Sequence, residues 1–106
     1  MKVFRSFLLV GCLTALSLTY GCTKKSSNTS SLYVPTSADV TATATLQDLQ
    51  QGRALYIKNC NSCHDLPTPD NYGVSSWKSI MSSMGPRTSM TSSEITLVTK
   101  YVTRGQ

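Results

Sequence analysis

The chain has 106 residues, which leaves room for one small domain; 14% of them are charged and the formal charge is +5. Lys2 and Arg5 precede residue 22, so the remainder carries 8 basic and 5 acidic side chains, with only Lys24 and Lys25 adjacent. No clustered basic face is available, and nucleic acid is excluded as a partner.

Residues 1–21 open with Lys2 and Arg5, continue through an apolar run from Phe7 to Leu18 and end on Gly21. This is the pattern of an export signal. A spanning helix needs about 20 predominantly apolar residues, and this run is shorter and broken by Ser17 and Thr19. The Gly21-Cys22 step resembles the lipobox of bacterial lipoproteins, which implies lipidation at Cys22 and anchorage to the periplasmic side of a bacterial membrane. Thr19 stands where that signal carries Leu, and Cys12 has a better local match but too short an apolar run. Ordinary secretory cleavage nearby and an uncleaved anchor are the competing readings. All three export the domain.

Residues 22–44 are dominated by Ser, Thr and Ala and lack the apolar residues to bury a core. They are expected to form a tether, with a flexible span of roughly 25 Å. The alternative is that Leu32-Tyr33-Val34-Pro35 packs on the domain as a short extended arm.

The domain itself is expected at 45–106, with three helices and no strand pattern. The first runs from about Leu46 to Asn59; Thr45 and Asp48 form a capping-box start, and Leu46, Leu49, Arg53 and Tyr56 share a face beside Gly52. A second begins near Ser75 or Ser76, carries Trp77, Ile80, Met81 and Met84 at i, i+3, i+4, i+7, and stops at Gly85-Pro86. A third starts with the Thr91 and Glu94 capping pair and turns Ile95, Val98, Tyr101 and Val102 inward before Gly105.

Between the first two helices stands Cys60-Asn61-Ser62-Cys63-His64. Two thiols three residues apart can both add to the vinyl groups of a porphyrin while the adjacent imidazole reaches its iron, so the motif reads as attachment of one c-type haem. A redox dithiol of this spacing normally opens a helix after a strand. A zinc site needs four ligands, and only three remain once Cys12 and Cys22 belong to the signal. A structural disulfide needs no neighbouring His64. Domains below about 70–80 residues seldom obtain more than 3–5 kcal/mol from their core, and a covalently held haem would supply much of what is missing.

Gly52-Arg53-Ala54-Leu55-Tyr56 leading into Cys60, Cys63 and His64, then Trp77, Met84, Glu94 and Tyr101, resembles a short monohaem class I cytochrome c. The resemblance covers about residues 45–104. It implies an all-α fold of three main helices around one covalent haem c, with the first and last helices crossing at Gly52 and Tyr101. It implies His64 as the proximal iron ligand and a downstream Met as the distal one. Met84, at the helix end before Gly85-Pro86, occupies the family position; Met90 and Met81 are the alternatives, more simply read as packing. Trp77 is a possible donor to a haem propionate or a core aromatic, Pro67 or Pro69 a carbonyl acceptor for the proximal His, and Lys78 and Arg87 possible propionate partners or solvated surface charges. Only 19 residues separate His64 from Met84, which would leave one haem edge exposed.

With both axial positions filled, the resemblance implies a one-electron carrier between redox proteins of the cell envelope, and no enzyme chemistry of its own. A haem-based sensor of small ligands and a haem subunit of a larger envelope oxidoreductase are the alternatives.

Overall fold

The computed structural model describes residues 29–61 and 65–106. The expected signal segment, Cys22, the first part of the expected tether, and Cys63 and His64 lie outside those residues. Three helices form the fold: α1 (Leu46–Cys60), α2 (Val74–Met84) and α3 (Ser92–Val102). Among the described residues there is no strand, only an isolated antiparallel bridge between Thr41 and Ala44. The architecture is all-α, as expected.

Two of the helix starts are fixed by reciprocal side-chain caps. At α1 the Thr45 hydroxyl accepts the Asp48 N–H at 3.1 Å while the Asp48 carboxylate accepts the Thr45 N–H at 3.2 Å. Thr91 and Glu94 repeat the arrangement at α3, at 3.3 and 2.7 Å. Each cap satisfies two donors that helix geometry would otherwise leave open, a contribution of about 1 kcal/mol. Helix α2 begins instead at Val74, ahead of the Ser75 or Ser76 start read from the sequence. Gly73 caps it by backbone alone, with the Trp77 N–H on the Gly73 carbonyl at 2.9 Å, and both serines stand exposed within the first turn.

Helices α1 and α3 cross at Gly52. A Cβ built there would lie 2.9 Å from the Tyr101 Cβ and would overlap the Leu97 carbonyl, so only glycine permits this approach. Leu49, Tyr56, Val98, Tyr101 and Val102 are all buried around the crossing, each contributing about 1.5–3 kcal/mol through removal of apolar surface from water. At one end of the contact Lys100 Nζ meets the Asp48 carboxylate at 2.8 Å.

Helix α3 ends in a Schellman turn, with Gly105 N–H on the Lys100 carbonyl at 2.7 Å and Arg104 N–H on the Tyr101 carbonyl at 3.1 Å. The residue in the left-handed conformation at the usual glycine position is Arg104, at φ 52°, and Gly105 follows at φ 76°. The cost of that conformation is offset by what the side chain reaches. Its guanidinium makes two 2.9 Å contacts with the Asp70 carboxylate and lies 4.0 Å from the centre of the Tyr33 ring.

The expected tether at 22–44 is corrected over its second half. Leu32, Pro35 and Ala44 are buried against the helices. Tyr33 stacks on Tyr101, and the Thr41 and Thr43 hydroxyls both donate to the Gly105 carbonyl, at 3.0 and 2.6 Å. The weighed alternative of an extended arm is the one found. A few large apolar side chains suffice, because their partners on α1 and α3 are already in place.

Candidate functional site

Helices α1 and α2 and the loop between them enclose an apolar cleft. Tyr56 and Cys60 face it from α1, one turn apart, and Pro67 and Tyr72 form the loop wall. Along α2 the stripe Trp77, Ile80, Met81 and Met84 lines it from core to mouth. Trp77 and Met81 are buried, Ile80 is half-buried and Met84 is 49% exposed. The sequence marked this stripe as a packing face; it is that at its inner end and a cleft wall throughout. The cleft holds about 240 Å³ and is open to solvent. Cofactor pockets run to roughly 300–1,000 Å³, so a macrocycle seated here would keep an edge in solvent.

Cys60 is the last residue of α1, half-buried against the core and bordering the cleft. Met84 is the last residue of α2 and stands on the same cleft. Both thiol-derived and thioether sulfur are thus brought to one apolar surface from two helix ends. Among the described residues no three His, Cys, Asp or Glu side chains lie close enough to hold a metal ion; the chain's single histidine, His64, and Cys63 are outside them. Met90 is buried in the core cluster that also holds Leu32, Trp77, Met81, Val98 and Tyr101, and is not among the residues lining the cleft.

Trp77 has a different polar partner from the propionate weighed above: its indole N–H donates to the Pro69 carbonyl at 2.7 Å inside the protein. Its ring meets Tyr72 and Tyr56 edge to face, with centroids 5.2 and 6.1 Å away. Lys78 and Arg87 are exposed. Pro67 and Pro69, both candidate acceptors, each receive a side-chain donor, because the Tyr56 hydroxyl donates to the Pro67 carbonyl at 2.7 Å. Burial pushes the Tyr56 hydroxyl above the usual phenol range, with the neighbouring Cys60 sulfur adding to the effect, so it remains a donor. Sequence reading had assigned Tyr56 only an apolar face, and Tyr72, 46% exposed at the cleft, no role. A phenol at a buried helical position was the available signal for the first; nothing pointed to the second.

A cytochrome c-type protein, TorY of Escherichia coli O157:H7, is 43% identical to this chain over 42 residues. Those residues make up 40% of this chain and 12% of TorY, so the chain covers a small part of that longer protein. It is a partial relative of a cytochrome c-type protein. No protein-family profile matches the sequence, and no solved structure matches it.

The residues present fit a haem. An apolar, ring-lined slot is what a porphyrin face requires, and Cys60 and Met84 border it from different helices. No helix among the described residues is long and apolar enough to cross a membrane.

Proposed function

We propose that this protein is a one-electron carrier holding a single haem c, linked through Cys60 and Cys63. His64 and Met84 are the residues that would ligate its iron. The observation that carries this reading is the apolar cleft bordered at once by Cys60, from the attachment motif, and by Met84, from the far end of α2. The similarity to a cytochrome c-type protein supports it independently.

When bound, the haem supplies a reversible one-electron change at its iron. The chain's own part is to hold, cover and tune. Cys60, at the end of a helix buried along one face, carries the linkage on a rigid element. Trp77, Met81 and Ile80 exclude water from the cleft floor, and the opening beside the half-exposed Met84 and Tyr72 would leave an edge through which an electron can pass. Met84 is a neutral, polarizable ligand at a helix end, favouring the reduced iron more than a second histidine would. Met90, buried in the core and not among the residues lining the cleft, is the weaker choice.

The domain acts outside the cytoplasm, among redox proteins of the cell envelope. Lipidated Cys22 would hold it at the membrane. Nine residues separate Cys22 from Leu32, the first packed residue of the arm, and an extended chain of that length reaches at most about 35 Å. The carrier would therefore work close to its anchor.

The test is optical. The oxidised protein should show a far-red sulfur-to-iron charge-transfer band, and the reduced protein should not bind carbon monoxide rapidly. Rapid binding by the reduced wild type, with no such band, would replace the carrier with a ligand-binding haem domain.

A further inference from the structure

Arg104 stands at the end of α3 in the left-handed conformation, one residue before Gly105. A side chain there is strained, and glycine would make the same turn more readily. The turn itself is therefore no reason for an arginine. What the guanidinium reaches supplies one: it makes two 2.9 Å contacts with the Asp70 carboxylate, approaches the Asp39 carboxylate at 3.9 Å and lies 4.0 Å from the centre of the Tyr33 ring. Tyr33 and Asp39 belong to the arm. Asp70 lies between Pro67 and Tyr72, the loop residues that wall the cleft.

Both ends of this link are built. On the arm side, the Thr41 and Thr43 hydroxyls hold the Gly105 carbonyl, and a Cβ at Gly105 would lie 3.0 Å from the Ala44 Cβ, so the turn that aims Arg104 rests directly on the arm. On the loop side, Asp70 is the middle residue of the 3-10 turn Pro69–Asn71. The Trp77 indole holds the Pro69 carbonyl of that turn, the Thr68 N–H and hydroxyl close on the Asn71 side chain at 2.6 and 2.8 Å, and Tyr72 follows at the cleft mouth, edge to face with Trp77. These bonds make the turn one unit, and a hold on Asp70 is a hold on the wall.

We infer that Arg104 couples the arm to the cleft: with the arm docked, its guanidinium holds the loop wall against the cleft, and release of the arm loosens that wall. The direction follows from the geometry. Tyr33 and Asp39 keep the guanidinium in the pose that meets Asp70, and a guanidinium already held loses less side-chain freedom in making the bidentate pair. Such coupling is reciprocal, so an occupant that presses the wall into place also tightens the arm. The pair is partly exposed at Arg104 and largely so at Asp70, which limits the coupling to a few-fold change in local opening. Access to the cleft then depends on a segment outside it. The inference concerns the wall and does not rest on the haem reading.

The test is hydrogen exchange of single amides in the full-length mature protein. Thr68 and Asn71, whose N–H groups are bonded within the loop, report on the wall; Thr41, bonded to the Ala44 carbonyl at 3.0 Å, reports on the arm. Thr88, bonded to the Gly85 carbonyl in the turn after α2, is the control. Asp70→Ala changes only the loop side of the link, yet it should speed exchange about twofold at Thr41 as well as in the loop, within the range of an exposed ion pair, and leave Thr88 unmoved. Arg104→Gly suits the left-handed backbone. It should speed exchange at Thr41, Thr68 and Asn71, and in its background Asp70→Ala should have no further effect at Thr41. A Thr41 rate unmoved by Asp70→Ala overturns the coupling. So does a rise at Thr41 that persists undiminished when residue 104 is glycine, or one that Thr88 shares.

Discussion

Tyr33 and Tyr101 lie face to face, centroids 4.8 Å apart and 11° from parallel, and each hydroxyl donates to the other's backbone carbonyl, at 3.0 and 3.1 Å. Sixty-eight positions apart in sequence, they join the arm before the first helix to the middle of the core. Arg53 Nε adds a third donor to this junction, on the Tyr33 carbonyl at 3.1 Å, and Arg104 covers the outer face of the Tyr33 ring. Tyr101 is at the same time the partner of Gly52. One side chain therefore sits between the α1/α3 crossing and the arm.

The arm should accordingly be part of the folding unit. A haem-loaded chain begun at Thr45 loses the Tyr33 stack, its hydrogen bonds and the burial of Leu32, and should unfold in urea with at least about 3 kcal/mol less stability than a chain begun at Thr29. Equal urea midpoints for the two chains would show residues 29–44 to be the passive tether their composition suggests.

Gly52→Ala should be among the most damaging single changes on the buried face of α1. A methyl group there meets backbone, the Leu97 carbonyl, as well as the Tyr101 Cβ, and backbone cannot turn aside as a side-chain tip can. Separation of the two helices should cost about 3 kcal/mol, read as a lowered thermal midpoint of the haem-loaded protein. Ala54→Gly, on the exposed side of the same helix, should cost only about 1 kcal/mol.

High pH should destabilise the protein through the tyrosine junction. Burial, with the neighbouring phenol second, pushes Tyr33 up to about 12; burial pushes Tyr101 up to about 12 as well, against the opposing charge of Arg53. Both raised values favour the neutral phenol in the folded state. Their contribution is fully present below the unfolded value near 10 and is lost as pH rises through about 12. Urea midpoints taken across this window should fall steadily, and Tyr33→Phe should make the fall shallower. A flat profile would mean that the phenols reach solvent without unfolding.

The two methionines should separate stability from spectrum. Met90→Ala opens the core and should cost about 3 kcal/mol while the far-red sulfur-to-iron band persists. Met84→Ala removes a half-exposed side chain and should change stability by less than about 1 kcal/mol beyond any loss of its iron bond, while abolishing the band. The reverse assignment of band and stability would move the distal ligand into the core.

Much of the scaffold was legible because local chemistry agreed with the final packing. The Thr45/Asp48 and Thr91/Glu94 pairs placed two helix starts, and the Gly52 and Tyr101 positions fitted the crossing that the cytochrome resemblance implied. The missed features depend on partners far away in sequence. Leu32 and Tyr33 are two apolar residues in a Ser/Thr-rich stretch, and only the completed α1/α3 surface gives them a place to bind. Gly105 after α3 was legible as a helix stop, but the left-handed conformation begins one residue earlier, at Arg104, whose strain is compensated by Asp70 and Tyr33, 34 and 71 positions earlier in the chain. At the cleft, the α2 stripe showed which side chains share a face without showing that Met84 would emerge at the mouth. The Trp77 indole found its acceptor at Pro69, a near neighbour that aromatic periodicity does not reveal.

The central claim is covalent haem attachment, and it is tested most directly by mass spectrometry of the Cys60–Cys63 peptide from mature protein made in cells equipped to attach haem. The account predicts one haem added to that peptide, held through both cysteines, with neither sulfur open to alkylation. Recovery of the same peptide without haem and with both thiols alkylated, from protein that is otherwise folded, would contradict it.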